Sequence, residues 1–205
     1  MAPAGNFESL QAAIDNGADS VYFGVDQLNM RARASINFTI DDLDEIARRC
    51  APKGIRTYLT LNTIIYDHDL SIIKTLLDAA KKAGLTAVIA MDQAVIAYAR
   101  QIGMEVHIST QINITNIETV RFYAMFADTM VMSRELSLRQ IKKICEQIEK
   151  EQIKGPSGNL VEIEIFGHGA LCMAVSGKCY LSLHSHNSSA NRGACKQNCR
   201  KKYTV

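Results

Sequence analysis

The segment AVIAMDQAVIAYARQIGMEVHIS, residues 87–109, decides the fold. Ala87–Met91 is a short apolar run, Gln93–Gln101 has helical period, Gly103 stands just past the helix end, and Val106–Ser109 is a second apolar run. That order spells one βαβ unit, and such a unit places its two strands in parallel. The same alternation continues in both directions, between Ala12 and Phe166. Further strands are expected at Ser20–Phe23, Arg56–Asn62, Thr129–Met132 and Val161–Phe166. Helices are expected at Phe7–Asp15, Ile40–Ala51, Asp69–Ala83, Ile117–Phe126 and Leu138–Glu149. Thr39 ahead of two first-turn acids is an N-cap candidate, Ser137 and Gln140 make a capping box, and Gly54 and Gly84 stand where C-cap glycines belong.

No GxGxxG or GxxxxGK[ST] occurs at a strand-to-helix turn, so recurrent βα units favour a TIM-like (β/α) barrel over a nucleotide-binding doubly wound sheet. The barrel reads as incomplete. Ala2-Pro-Ala-Gly5 looks like the tail of a clipped first strand, and an eighth strand is expected near or beyond Tyr203–Val205. One α/β domain follows, with barrel units over residues 1–167 and a cysteine-rich segment of the same domain over 168–205.

The 205 residues, 47% hydrophobic and 21% charged, suffice for one buried core. No stretch is apolar enough for a membrane span, and MAPAGNFESL lacks the basic and apolar regions of a signal peptide, so no membrane association and cytoplasmic residence are expected. A formal charge of +2 is too small to argue for nucleic acid by itself.

In such a barrel the working face lies at the carboxyl ends of the strands. Polar residues gather there in the sequence: Asn62, Asp92, Ser109-Thr110-Gln111 with Asn113, Ser133-Arg134-Glu135 and Gly167-His168-Gly169. Arg31 and Arg33, spaced to point the same way, follow the first complete strand with Asn29. Arginines converging at a barrel mouth suit a small carboxylate or phosphate, because the guanidinium is a planar fork. Surface ion pairs of Arg134 with Glu135, or of Arg31 and Arg33 with Asp41 or Asp42, are the plain alternative. Glu162 and Glu164 alternate with apolar residues, so both point one way, and a glutamate entering the barrel needs partners. His168 is a candidate acid or base, although a histidine in a Gly-His-Gly turn also serves structure.

Cys50 and Cys145 stand singly in helical stretches and read as packing thiols. Cys172, Cys179, Cys195 and Cys199 crowd into one segment with glycines at 169, 177 and 193. Thiolates ligate zinc and iron–sulfur clusters. The wide first spacing and the CxxxC pair match neither a zinc knuckle nor a redox dithiol, which ranks an iron–sulfur cluster above zinc and unligated thiols third. A Cys172–His168 nucleophile pair would leave the other three cysteines unexplained. Lys196, Arg200, Lys201 and Lys202 with Tyr203 form a basic, aromatic patch that suits RNA, or a solvated tail.

The runs Glu164-Ile-Phe-Gly-His-Gly-Ala-Leu-Cys172, Ser176-Gly-Lys-Cys179-Tyr-Leu-Ser182 and Asn191-Arg-Gly-Ala-Cys195-Lys-Gln-Asn-Cys199-Arg200 together resemble the collagenase-like peptidase family U32. Gly17-Ala-Asp-Ser-Val-Tyr-Phe-Gly24, Asn29-Met-Arg31 and Ser133-Arg134-Glu135-Leu136-Ser137 extend the likeness over essentially the whole chain. The resemblance implies one of two activities: collagen-degrading peptidase, or oxygen-independent hydroxylation of tRNA wobble uridine, ribosomal RNA or a ubiquinone precursor. The sequence looks most similar to the tRNA branch, whose members carry a four-iron four-sulfur cluster on four cysteines and use prephenate. On that likeness Cys172, Cys179, Cys195 and Cys199 are the cluster ligands, with Cys199 the least fixed. The catalytic residues are then expected among His168, Glu164, Asn62 and Gln111, and Arg31, Arg33, Arg134 and Glu135 bind the co-substrate. tRNA is the expected partner. A hydrolase, or a noncatalytic zinc- or cluster-stabilised subunit of a protein partner or homo-oligomer, is the alternative.

Overall fold

The computed structural model describes residues 1–25, 28–30, 32, 37–169 and 171–202. Its seven strands are β1 (Ala2–Pro3), β2 (Ser20–Phe23), β3 (Arg56–Leu61), β4 (Ala87–Ala90), β5 (Glu105–Ile108), β6 (Thr129–Val131) and β7 (Glu162–Glu164). They lie side by side in chain order, every neighbouring pair parallel. Between them run helices α1 (Phe7–Asp15), α2 (Leu43–Cys50), α3 (Leu70–Lys82), α4 (Gln93–Gln101), α5 (Ile117–Ala124) and α6 (Leu138–Glu151). This is a TIM-like (β/α) barrel with an opening, because β7 and β1 do not pair among the described residues.

Side-chain alternation along each strand builds two layers. Leu59, Leu61, Val88, Ala90, Val106 and Ile108 face outward and join Leu77, Val95 and Ala99 of the helices in one core, each at most 1% exposed. Burial of each of the larger side chains contributes about 1.5–3 kcal/mol. The inward set is smaller and more polar: Tyr22, Tyr58, Ala87 and Ile89 cluster together, and His107, Thr129 and Glu164 line the same lumen.

Several expected boundaries shift, each for a local reason. Asn62, Met91, Ser109 and Met132 leave the ladder one residue early, and Asn62 instead accepts the Met30 N–H at 3.1 Å. The expected helix over Ile40–Ala51 is broken into a 3-10 turn at Ile40–Asp42, α2, and a second 3-10 turn at Ala51–Lys53 that holds Pro52, which has no N–H to extend the α ladder. Thr39 does start that region, but its own N–H donates to Asp42 Oδ2 at 2.7 Å. The strand expected over Val161–Phe166 shortens to Glu162–Glu164, and Leu138–Glu149 lengthens to Glu151, closed by left-handed Gln152.

Candidate functional site

Loops that leave the carboxyl ends of β3, β5, β6 and β7 contribute to one mouth. Asn62 follows β3, Ser109 and Gln111 follow β5, Ser133 and Arg134 follow β6, and His168 follows β7. Asn62 Nδ2 donates to Ser109 Oγ at 3.2 Å and to Gln111 Oε1 at 3.3 Å, and Ser109 Oγ also donates to Gln111 Oε1. The network leaves the Gln111 amide nitrogen as its outward donor. Asp92 turns out to be architectural: its carboxylate caps α4 through Ala94 N–H at 2.9 Å and takes Ile65 N–H at 3.2 Å.

Two cavities meet at this network. The outer one, about 470 Å³, is lined by Gln111, Arg134, His168 and Cys172 among others. The inner one, about 160 Å³, is lined by Asn62, Ser109, Gln111 and Glu164. Gln111, Thr110, Tyr22, Met30 and Phe166 border both. Three of the expected catalytic residues therefore share the inner cavity, and His168 shares the outer one with Gln111. Arg31 and Arg33 lie outside the described residues.

Arg134 is held inward rather than paired with its neighbour. Its Nη2 donates to Ser176 Oγ at 2.6 Å, and its Nε is buried without a hydrogen-bond partner among the described residues. Glu135 is exposed, outside the lining of both cavities, and accepts from the Ser133 hydroxyl. That hydrogen bond, its own backbone N–H and the nearby Arg134 charge hold its carboxyl below the usual range. Glu164 goes the other way: burial in the lumen raises its pKa, partly opposed by His107, the chain amino group and Arg56.

His107 of the lumen has a partner that sequence inspection missed. His107, 3% exposed, bonds Glu105 Oε1 through Nε2 at 2.9 Å and packs on Tyr58 with ring centroids 4.5 Å apart. The inward alternation Glu105, His107, Ser109 is the signal that would have found it.

The cysteine-rich segment begins after β7 and includes a helix no sequence signal announced, α7 (Leu181–His186). It docks on the barrel by three consecutive residues. Asn191 accepts the Cys179 N–H on its side chain at 3.0 Å and the Ile64 N–H on its carbonyl at 3.2 Å. Arg192 donates to the Asp69 carboxylate and, at 2.8 Å, to Ile64 O. Gly193, with φ of 76°, lies so close to the β2 loop that a Cβ there would meet Asn29 O at 2.2 Å. At the mouth, Asn113 Nδ2 holds Ser176 O at 2.8 Å.

All six cysteines are free thiols. Cys50 is buried in the core and Cys145 is half-buried, and burial raises both thiols, as befits packing residues. Cys172, Cys195 and Cys199 are exposed and Cys179 half-buried, and Cys195 Sγ accepts the Gln197 N–H at 3.4 Å. As donors they fit a soft metal or an iron–sulfur cluster by type. By arrangement they do not yet: among the described residues no three histidine, cysteine or acidic side chains stand together as a metal site. Of the four, Cys172 alone lines the mouth.

No helix of the described residues is long and apolar enough to cross a membrane. Comparison with solved structures finds the same architecture in a U32 peptidase, at a TM-score of 0.59 and 12% identity, covering 72% of this chain and 64% of that one. Among curated proteins, a collagenase of Porphyromonas gingivalis is 60% identical over 100% of this chain and 50% of its own length. The tRNA hydroxylation protein P1 of Bacillus subtilis is 34% identical over 100% of this chain and 46% of its own. The chain thus spans about half the length of these relatives. The family model described as peptidase family U32 matches residues 5–205, and with relatives of such identity along the full chain, this protein belongs to peptidase family U32.

Proposed function

We propose that this chain belongs to an RNA-hydroxylating enzyme that acts on a pyrimidine, tRNA wobble uridine in the first instance, with prephenate as co-substrate. The observation that carries the reading is the mouth itself: Arg134, Gln111, His168 and Cys172 border one cavity, and no serine or cysteine of its lining is hydrogen-bonded to a histidine among the described residues. Among the described residues one serine–histidine bond lies elsewhere, between Ser185 Oγ and His186 Nδ1 at 2.8 Å. It sits on exposed α7, and that hydroxyl donates its proton to Leu181 O at 2.7 Å. A hydroxyl whose proton is committed to a helix carbonyl is not an activated nucleophile.

The chain's own residues divide the work. Arg134, with an unused Nε donor, binds a carboxylate of the co-substrate. The Gln111 amide, held by Asn62 and Ser109, orients the polar edge of a base. Glu164, whose carboxyl is raised by burial, holds a proton at higher pH than an exposed glutamate and can pass it at the inner cavity, with His168 as the second exchanger at the outer one. A four-iron four-sulfur cluster on Cys172, Cys179, Cys195 and Cys199 would supply electrons when bound. Zinc on the same thiols is the alternative, and it would make the segment structural.

A peptidase reading is favoured by one specific observation, the 60% identity to a protein named collagenase. Anaerobic purification separates the two. The expected result is a brown protein with about four irons and four sulfides per chain and no gelatin-degrading activity. Colourless protein with one zinc, or gelatin cleavage that disappears on a single substitution in the mouth, would overturn the proposal.

A further inference from the structure

The charges of this chain are segregated along the sequence. Residues 168–205 hold six of the 23 basic residues and none of the 21 acidic ones, so the cysteine-rich segment carries +6 against −4 for residues 1–167. One of the six, Arg192, is used up against Asp69. The other five, Lys178, Lys196, Arg200, Lys201 and Lys202, are exposed and make no ion pair among the described residues.

Part of this set is held by the segment's own hydrogen bonds rather than carried on a loose tail. Lys196 N–H donates to Ser182 Oγ on α7 at 3.0 Å, Asn198 is bonded to Ser185 and His186, and Arg200 Nη2 donates to Leu171 O at 2.9 Å. Lys196 and Arg200 are thereby tied to the segment, and Arg200 sets this face of it next to Leu171 and Cys172 of the mouth lining. Tyr180, 66% exposed, stands at the start of α7 between Cys179 and Leu181. A chain that spends its acids elsewhere and spaces unpaired cations around an exposed aromatic ring has the makings of a phosphodiester grip with a stacking platform.

We infer that this face is an RNA-binding surface: the five cations contact backbone phosphates and Tyr180 stacks a base, so that the strand is led across the cysteine-rich segment to the mouth. The inference rests on the RNA reading above and gives it a place on the molecule. It also explains why the segment is latched to the barrel through Asn191, Arg192 and Gly193. A grip that swung free could not deliver a base to a fixed cavity.

The test is fluorescence anisotropy of a labelled tRNA anticodon stem-loop against the 205-residue chain, between about 50 and 200 mM salt, where phosphate contacts dominate. The wild type is expected to show a slope of log affinity against log salt steeper than about −2, approaching about −3.5 if all five cations engage a single-stranded stretch. Lys196→Gln/Lys201→Gln/Lys202→Gln flattens that slope by about 2 and weakens binding at least about tenfold at low salt. The triple Lys→Arg variant keeps the slope. Tyr180→Ala weakens binding about tenfold with the slope intact, because stacking releases no counterions. If the wild type binds and the triple Gln variant binds equally well with the same slope, the surface is misplaced while the RNA reading stands. If the wild type binds no RNA but binds vesicles containing phosphatidylserine, both fall and the patch is a membrane surface.

Discussion

Replacing Gly193 with alanine is expected to unseat the cysteine-rich segment while leaving the barrel folded. The left-handed φ of 76° alone strains an L side chain, and the new Cβ would also stand 2.2 Å from Asn29 O and 3.1 Å from the Ala32 Cβ. The Asn29 carbonyl and the Ala32 methyl, both fixed to the loop backbone, cannot give way as the far end of a flexible side chain would, so the contact between the segment and the β2 loop must open. Loss of the docking hydrogen bonds of Asn191 and Arg192 follows. Hydrogen exchange reads the result: amides between 180 and 198 lose protection by about 100-fold or more, while Leu59, Val88 and Val106 in the central strands keep theirs. Unchanged protection in the segment would show that Gly193 does not seat it.

The second large effect concerns Asp69 and Arg192, 123 residues apart in sequence. Asp69 is 6% exposed, and the Arg192 guanidinium, stacked over the Tyr66 ring at 4.8 Å, donates to both carboxylate oxygens. That hydrogen bonding is the main cause of a carboxyl held below its usual value, with the Tyr66 N–H helping and burial opposing. A depressed folded-state pKa stabilises the protein above the unfolded value near 3.8, and the contribution is lost as pH falls through the folded value. Arg192→Leu leaves a buried carboxylate without its counter-ion and should cost about 3 kcal/mol at pH 7. A denaturant titration comparing wild type and Arg192→Leu should therefore show a gap that is full at neutral pH and is lost as pH falls through the lowered folded value of wild-type Asp69. A gap independent of pH would mean that packing on Tyr66, and not charge, holds the segment.

The fold was legible because the βα alternation changes period along the chain, and helices α1 and α4 begin and end where their periodicity says. Strand ends ran one residue long because Asn62 and Ser109 look like strand residues until their side chains are seen bonding across the mouth. The gathering of Asn62, Gln111 and Glu164 in one cavity followed from placing working residues at strand ends, a rule of the architecture. By contrast α7 is six residues long and its sequence LSLHSH has no helical period, so nothing local announces it. The Asp69–Arg192 latch joins two unremarkable loops, and only the fold brings them together. Asp92 shows why a strand-end position alone does not assign a role: a carboxylate there has two uses, catalysis and helix capping, and here it caps α4.

Mass spectrometry of nucleosides from tRNA and ribosomal RNA of a strain lacking the gene tests whether this barrel serves RNA hydroxylation. The expected result is loss of a hydroxylated pyrimidine, restored by the wild-type gene and not by Cys179→Ser or Arg134→Ala. Hydroxylated nucleosides that persist at wild-type levels in the deletion strain would contradict it.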